Sequence, residues 1–518
     1  MTLGALNRFP LELPVISLLL LALPTKSNVS RLVRIVLMLV LGALFFLRLG
    51  DLGTFIAFNR RFNLVYDSNL FGAGWHLLSG TIGTPLAGLA IGVGFIVIGG
   101  IFWTIWWAVS EVSRWEPLGW ARVAVSALLV PAFILAAMNF SRLGPIDPPG
   151  ITFTTSVAVD YVVQARRARI NIAALRIEVA RDPIADIPQD AVFGALKETD
   201  VLLTFIESYG RSTHDNPLYA PTIRPRLKLI EADLAAHGLA VRSGWMTAPM
   251  VGGQSWLAHG SVLSGLWIEN QGRYKAMLQS KRRTLLHLAQ SSGHRTVAVM
   301  PAISMAWPES AYFGYDRILA NANLGYKGLP FNWVTMPDQY TLSAFERMEM
   351  NQPDRAPIFA EIALISSHAP WTPIPTLIDW NTVGDGTVFN EIAVSGDSPD
   401  EVWRDKDRVR DQFRQATDYA LQTIGSFAIR HADTSPLMIV LGDHQPATFV
   451  SQDDLNRDVP IHVIGDPGLI AMLDSWGWTE GMLPASDLVP WQMNEFRTNF
   501  VRAFSPLEGA QSATQILE

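Results

Sequence analysis

Residues 437–444, with the sequence LMIVLGDH, decide how the rest of the chain is interpreted. The first residues of this stretch are apolar, and a short apolar run of this kind predicts a strand buried on both faces of a sheet. Asp443 and His444 follow directly where the predicted strand ends. In open α/β sheets, sites form outside the carboxyl ends of the strands. The stretch therefore predicts an α/β sheet whose edge presents a carboxylate and an imidazole, a combination that indicates metal ligands rather than packing.

Two other stretches repeat this pattern. Residues 200–206 (DVLLTFI) lead into Glu207, and residues 362–365 (IALI) lead into His368 after two serines. Further strand candidates lie at 296–300 and 460–464, and helix candidates lie between the strands at 224–237, 281–291 and 409–431. This alternation predicts a mostly parallel sheet covered by helices on both faces, with acidic and imidazole groups along one edge.

Composition predicts a membrane part fused to a soluble part. The chain has 518 residues, which is too long for one ordinary domain, and 49% of them are hydrophobic. The formal net charge of −7 gives no support for nucleic-acid binding. The chain has no cysteine, which excludes disulfides and thiolate ligands and suits an oxidising compartment.

The apolar segments lie within the first 140 residues. They run over 11–23, 33–49, 84–109 and 121–138. About 20 apolar residues are needed to cross a bilayer core, so the last three are long enough, whereas the first is short and contains Pro14. Buried core helices are the alternative, but four such segments in succession exceed what a soluble core needs. We therefore predict a helical membrane domain of about four spans.

Basic residues in the short loops predict the orientation of these spans. Lys26, Arg31 and Arg34 lie around the first loop, and Arg114 and Arg122 lie around the loop before the last span. The positive-inside tendency places both loops in the cytoplasm. The remainder of the chain is then expected on the outer side of the membrane.

We predict three regions along the chain: a transmembrane domain over 1–139, a linker over 140–199 and a soluble domain over 200–518. The linker opens with the helix-breaking cluster GPIDPPG at 144–150. Residues 161–181 then read as a basic amphipathic helix, either lying on the bilayer surface or packing on the soluble domain. Its arginines are Arg166, Arg167, Arg169, Arg176 and Arg181.

Ser255 follows two glycines in the segment GGQS, residues 252–255, and enters an apolar, helix-like stretch. A hydroxyl at a helix start lies near backbone N–H groups that favour an anionic phosphate. A divalent cation on that hydroxyl would lower its pKa and make it a nucleophile. The alternative is that Ser255 only caps the helix, which is the common role of such a serine. Spacing alone does not decide between the two roles. His259 follows Ser255 by one helical turn and could face the site, although a packed or capping role is the commoner one. His462 is expected at a core position.

Four motifs in order resemble those of the lipoteichoic-acid-synthase-like transferases, which belong to the sulfatase and alkaline-phosphatase superfamily. The motifs are FIESYG at 205–210, GGQS at 252–255, SHAPW at 367–371 and LGDHQP at 441–446. Phosphoglycerol and phosphoethanolamine transferases belong to the same branch. The resemblance covers residues 200–504 and implies a catalytic, sulfatase-like α/β domain.

The resemblance also implies roles for individual residues. Glu207, Asp443 and His444 match the family's metal ligands. Ser255 matches the nucleophile, which also contacts the metal and is usually a threonine in this branch. The residues matching substrate-binding positions are His368, for the phosphoryl group, and Trp307, for the headgroup pocket. A mixed oxygen and nitrogen ligand set suits one Mn²⁺ or Zn²⁺ ion and does not distinguish between them.

The expected function is transfer of a phosphoglycerol or phosphoethanolamine headgroup from a phospholipid donor to an envelope glycan or lipid acceptor, through a covalent intermediate on Ser255. The expected location is the bacterial inner membrane, with the catalytic domain on the periplasmic or extracellular side. A membrane-anchored phosphodiesterase or phosphatase that uses water as acceptor is the alternative. A non-catalytic membrane protein that binds a lipid is a third reading. A sulfatase is disfavoured, because Leu257 and His259 stand where that class needs proline and arginine.

Overall fold

The computed structural model describes residues 9–58, 61–63, 67, 72, 74–75, 78–79, 83–141, 150–452 and 456–505. The chain forms two compact units, Met1–Asn171 and Ile172–Glu518. The first unit contains the apolar segments, and the second contains the predicted α/β domain.

The described part of the first unit is helical. Its helices are α1 (Glu12–Ala22), α2 (Asn28–Phe58), α3 (Thr84–Arg114) and α4 (Trp120–Ser141). Helices α2, α3 and α4 are long and apolar enough to cross a membrane, and few of their side chains are buried by protein. Helix α1 has 11 residues, and its length of about 16 Å is roughly half of a bilayer core. The first predicted span is therefore an apolar helix too short to cross unaided.

Helix α5 (Phe153–Ala180) contains most of the segment predicted as a basic helix. Its arginines at positions 166, 167, 169 and 176 are exposed, and so are Ile170 and Ile177. The boundary between the two compact units falls inside this helix, at Asn171. Residues 142–149, which hold most of the predicted helix-breaking cluster, lie outside the described residues.

The described part of the second unit is built on one sheet of nine strands. The strands are β1 (Val201–Ile206), β2 (Ala240–Thr247), β3 (Arg295–Met300), β4 (Arg317–Ala320), β5 (Ile358–Leu364), β6 (Leu437–Gly442), β7 (Asp458–Gly465), β8 (Thr479–Glu480) and β9 (Trp491–Gln492). Their order is β4-β3-β5-β1-β6-β7-β2-β8, with β9 also paired to β2. Strands β4 to β6 along this order are parallel, whereas β7 pairs antiparallel with both β6 and β2. The predicted fold class, apolar helices followed by a mostly parallel sheet, is confirmed.

Helices cover both faces of the sheet. The longer ones are α6 (Ala220–Ala236), α7 (Ser255–Ser264), α8 (Gln271–Leu278), α9 (Leu285–Ser291), α10 (Asp338–Phe345), α11 (Lys406–Arg430) and α12 (Met493–Ala503). Because successive side chains of a strand point to opposite faces, Leu202 and Ile206 of β1 join a core with α6, α10 and α11. Leu203 and Phe205 join a second core with α7, α8, α9 and α12. Strand β1 is therefore buried on both sides, as its continuous apolar run predicts.

The structure differs from the sequence prediction at several places, two of which have clear local reasons. Strand β2 was not predicted, since Arg242, Ser243 and Gly244 interrupt its apolar pattern; Arg242 is paired there with Asp474 at 2.7 Å. The helix predicted from residue 281 begins only at Leu285. Thr284 caps it, because its side chain accepts the His287 N–H.

Candidate metal and catalytic site

The site forms where the three central strands end together. In the parallel register, Ile206 of β1 lies level with Leu364 of β5 and with Gly442 of β6. The residues that follow each strand therefore emerge side by side at the carboxyl edge, as in other open α/β sheets. The hydroxyl of Ser367 donates to the Glu207 carbonyl at 2.6 Å and joins two of these strand ends.

Glu207, Asp443 and His444 form a compact triad. One potential ligand atom from each lies within 4.8 Å of the others. Nε2 of His444 is 3.4 Å from a Glu207 oxygen and 3.7 Å from Asp443 Oδ2. Asp443 and His444 are each 1% exposed. Two carboxylates and one imidazole around one centre are a donor set that fits a divalent transition-metal ion.

Backbone hydrogen bonds orient the triad. Oδ1 of Asp443 accepts the N–H groups of Ser208 and His444 at 2.8 and 2.7 Å, which leaves Oδ2 toward the other two side chains. Nδ1 of His444 lies 2.8 Å from the carbonyl of Gln445. A carbonyl only accepts, so this contact places a proton on Nδ1 and leaves Nε2 facing the centre, where it can bind a metal ion.

The pKa values of the two carboxyl groups of the triad are shifted in opposite directions. Burial opposes ionisation of Glu207, but His444 and His368 outweigh it and lower the pKa of Glu207. Burial, followed by the charge of Glu207, raises the pKa of Asp443 to about 6. Two carboxylates this close resist full ionisation together. A divalent cation between them would compensate both charges, so the electrostatics of the triad fit a metal centre.

Two glycines permit the close approach of these loops. A Cβ atom on Gly442 would lie 1.8 Å from the carbonyl oxygen of Tyr209, so no larger residue fits before Asp443. Gly252 has φ of +73°, a conformation that favours glycine, and its N–H donates to the Gln445 carbonyl at 3.0 Å. These contacts hold the segment before Ser255 against the segment after His444.

Ser255 is the first residue of helix α7, and its side chain faces the triad. Its Oγ lies 3.2 Å from Glu207 Oε2 and 3.3 Å from His444 Nε2. Gln254, at the N-cap position, has a left-handed backbone and accepts no capping hydrogen bond. The hydroxyl of Ser255 thus points at the candidate metal centre, the geometry expected of an activated nucleophile.

A cavity of about 240 Å³ opens beside Ser255. His368 and Trp307, the two residues predicted to bind substrate, both line it, together with Glu207 and Asp443. The Trp307 ring packs against Tyr315 with 5.7 Å between ring centroids. The structure therefore brings every sequence-predicted site residue to one centre or to the cavity next to it.

The cavity also contains a pair that sequence reasoning missed. Glu361, inside strand β5, is 1% exposed and lines the cavity with His259. Nδ1 of His259 is 2.7 Å from Glu361 Oε1. A single charged residue within the apolar strand sequence IFAEIAL was the available signal, since a buried carboxylate requires a partner. For His259, the predicted packed or capping role omits its contact with Glu361.

Asp338 is a second residue that the sequence did not single out, and it supports the loop that carries His368. It begins helix α10 and is fully buried. Its Oδ1 accepts the N–H groups of Ile365 and Ser366 at 2.8 and 2.9 Å. Burial outweighs these hydrogen bonds and raises the pKa of Asp338 from 3.8 to about 6.

We expect Asp338→Ala to lower the free energy of unfolding by about 3 kcal/mol, because it leaves two buried N–H groups unpaired. Asp338→Asn keeps an accepting oxygen. Since the folded pKa lies above the unfolded one, the wild type loses stability as pH rises from about 4 to 6, by up to about 3 kcal/mol. The free energy of unfolding of the second unit, measured with urea at pH 4 and pH 7, should decrease in the wild type and should lack this decrease in Asp338→Asn. Equal pH slopes in the two proteins would contradict the assignment.

The chain is similar to several solved structures. It shares 13% identity with the lipoteichoic acid synthase LtaP from Listeria monocytogenes, over 62% of this chain and 75% of that one, with a TM-score of 0.40. The phosphoglycerol transferase GacH of Streptococcus pyogenes, in complex with sn-glycerol-1-phosphate, gives 14% identity, coverage of 57% and 74%, and a TM-score of 0.37. The C-terminal periplasmic domain of EcEptC from Escherichia coli, in complex with Zn, shares 11% identity over 60% of this chain and 84% of that one, with a TM-score of 0.41.

No family model and no curated protein matches the chain. Because the TM-scores lie below 0.5, the basis for a function is the geometry of the site itself.

Proposed function

We propose that the protein is a metal-dependent transferase that moves a phosphorylated alcohol headgroup from a phospholipid to an acceptor, through a covalent intermediate on Ser255. The observation that carries this proposal is the position of Ser255 Oγ at the N-terminus of helix α7. This oxygen lies 3.2 Å from Glu207 Oε2 and 3.3 Å from His444 Nε2. A hydroxyl placed among buried metal-type ligands and facing a cavity is suited to attack phosphorus.

Glu207, Asp443, His444 and the Ser255 hydroxyl would hold one divalent cation, Mn²⁺ or Zn²⁺. When bound, such an ion lowers the pKa of a coordinated hydroxyl and polarises a phosphoryl oxygen. The protein's part is to hold the ligands in place, through the backbone bonds to Asp443 and the Gln445 carbonyl on His444.

In the first step, Ser255 Oγ forms a bond to phosphorus, and the bond from phosphorus to the diacylglycerol oxygen breaks. The Ser255 hydroxyl proton, which is hydrogen bonded to Glu207 Oε2, is released to solvent as the new bond forms. The departing diacylglycerol oxygen takes a proton from solvent at the cavity mouth, so protons balance over the step. His368, exposed on the cavity wall, balances charge on the nonbridging oxygens. In the second step an acceptor oxygen forms a bond to phosphorus, the bond from phosphorus to Ser255 Oγ breaks, and the proton of the acceptor hydroxyl replaces the one that Ser255 Oγ lost.

A phospholipid donor fits a chain that carries three helices able to cross a membrane. We propose that residues 1–139 anchor the protein, that 140–199 link the two parts, and that 200–518 form the catalytic domain. The positive-inside pattern supports a catalytic domain on the periplasmic or extracellular side of a bacterial inner membrane. The acceptor is an envelope glycan or a lipid.

The covalent intermediate can be tested by mass spectrometry of the intact, full-length protein. After incubation with a defined phospholipid and Mn²⁺ or Zn²⁺, we expect a mass increase equal to the phosphorylated headgroup, located on the peptide that contains Ser255. Diacylglycerol should appear in equal amount during the first turnover. Diacylglycerol release without any adduct on Ser255 would contradict the covalent step.

The nature of the acceptor separates the two enzyme classes. A transferase gives a headgroup-modified glycan or lipid, whereas a phosphodiesterase gives the free phosphorylated alcohol. Product analysis with and without envelope extracts should show that an acceptor accelerates turnover. Turnover that yields only free phosphorylated alcohol under all conditions would support the hydrolase.

A further inference from the structure

Glu361 is an acidic side chain buried in the wall of the active-site cavity. It lies within strand β5 and is 1% exposed. Its Oε1 accepts from Nδ1 of His259 at 2.7 Å, and its Oε2 accepts from the hydroxyl of Tyr315. Burying a carboxylate is costly unless hydrogen bonds or a ligand compensate the charge. Glu361 is thus a buried carboxylate in an otherwise apolar strand.

Glu361 is a cavity-lining carboxylate that does not belong to the candidate metal centre. Glu207 and Asp443 belong to the candidate metal centre, where a divalent cation would offset two negative charges. No lysine or arginine stands among the described residues that line the cavity. The His259 ring needs only its Nδ1 proton for its bond to Glu361, and it stacks on Phe205 with centroids 3.8 Å apart. Among the described residues that line the cavity, Glu361 is therefore the carboxylate that lies outside the candidate metal centre and has no lysine or arginine beside it.

Aromatic rings surround this charge. Trp307, Tyr274, Phe313 and Tyr315 line the same cavity. Aromatic faces combined with a carboxylate favour a cation such as an ammonium group over a neutral hydroxyl. The wall around Glu361 thus has the chemistry of a site for a small organic cation.

The distance from the nucleophile suits a short headgroup. His259 follows Ser255 by four residues on helix α7, so the two side chains project from one face and are separated by about one turn, roughly 5.4 Å. Both line the cavity. Because His259 contacts Glu361, we expect a headgroup with two carbons between oxygen and nitrogen, attached to phosphorus at Ser255, to reach the part of the cavity that Glu361 lines.

We propose that Glu361, held by His259 and Tyr315, selects donor phospholipids whose headgroup carries an ammonium group, with ethanolamine as the matching size. This inference rests on the proposed function and specifies its substrate class. The phosphate of such a headgroup faces Ser255 and the metal ligands, and the ammonium group compensates Glu361. A glycerol headgroup offers hydroxyl donors but leaves the buried charge in place.

The wild-type protein provides the first test. Full-length protein in one detergent, loaded with its metal, is assayed for diacylglycerol release from phosphatidylethanolamine, N-acetylated phosphatidylethanolamine and phosphatidylglycerol. We expect kcat/KM for phosphatidylethanolamine to exceed the other two by at least about tenfold. N-acetylation removes the charge of the headgroup nitrogen and retains the two-carbon linker, so a loss of preference for the acetylated donor would show that the charge is what the protein recognises.

Glu361→Gln is the second test, since it removes the charge and preserves the shape. We expect kcat/KM for phosphatidylethanolamine to fall about tenfold or more, chiefly through KM, while kcat/KM for phosphatidylglycerol rises. Glu391→Gln is the matched control: Glu391 is exposed and does not line the cavity, so its removal should leave the donor ratio unchanged.

A wild-type preference for phosphatidylglycerol, or an unchanged donor ratio in Glu361→Gln, would overturn the inference while the proposed function stands. If Glu361→Gln does not fold, the wild-type comparison with the N-acetylated donor decides alone. Failure of the proposed function itself has a different signature, namely no diacylglycerol and no adduct on Ser255 with any donor.

Discussion

Ser255→Ala is expected to lower kcat for diacylglycerol release by about 10⁴-fold or more, the scale seen when a covalent nucleophile is removed. The reason is geometric: Ser255 lines the cavity, and its hydroxyl oxygen lies 3.2 Å from Glu207 and 3.3 Å from His444. Alanine keeps the helix start but supplies no oxygen. Single-turnover assays with a fluorescent phospholipid would measure the loss.

Ser255→Thr is the matched variant, because it retains the hydroxyl and adds only a methyl group. We expect it to keep activity within about tenfold of the wild type and to form the same covalent adduct. Metal content measured on all three proteins separates loss of the nucleophile from loss of the metal. Wild-type turnover by Ser255→Ala would exclude Ser255 as the nucleophile.

Removal of divalent cations is expected to have an equally large effect. Chelation should reduce activity to the level of Ser255→Ala, and addition of Mn²⁺ or Zn²⁺ should restore it. Because the ligands come from different strands, binding of the ion stabilises only the folded state. At a hundredfold excess of free metal over Kd, the stabilisation should be about 2.7 kcal/mol, visible as a rise in Tm.

Asp443→Asn distinguishes a metal ligand from a structural carboxylate. An asparagine oxygen can still accept the N–H groups of Ser208 and His444 that Asp443 Oδ1 accepts, so the loops should keep their arrangement. The second oxygen, which faces the other two side chains of the triad, is replaced by an amide nitrogen, which does not bind a metal ion. We expect a folded protein whose Tm no longer responds to Mn²⁺ or Zn²⁺. A metal-dependent rise in Tm equal to that of the wild type would show that the ion binds elsewhere.

Local sequence patterns were sufficient to predict the framework of the catalytic domain. The apolar runs before Glu207, before Ser366 and before Asp443 correspond to strands β1, β5 and β6, because a strand buried on both faces is mostly apolar. Parallel strands end at the same edge of a sheet, which is why polar residues after three separate runs could be expected to meet.

The remainder depends on contacts that no local pattern encodes. Glu361 lies in the middle of a strand and meets His259, about a hundred residues earlier in the chain, only because β5 faces helix α7. Asp338 begins a helix, where an acidic residue is ordinary, and nothing nearby indicates that it binds the backbone at the end of β5. Strand β2 is missed because it lies in the antiparallel part of the sheet, with a polar and glycine-containing sequence.

The pairing of β1 with β6 has a consequence for how the protein matures. Ser208 and Asp443, which are hydrogen bonded in the site, are separated by 235 positions along the chain. Closing so long a loop is slow and entropically costly. A nascent chain therefore has no high-affinity place for the ion until its last central strand has docked, and uptake of the cation should mark the completion of folding rather than initiate it.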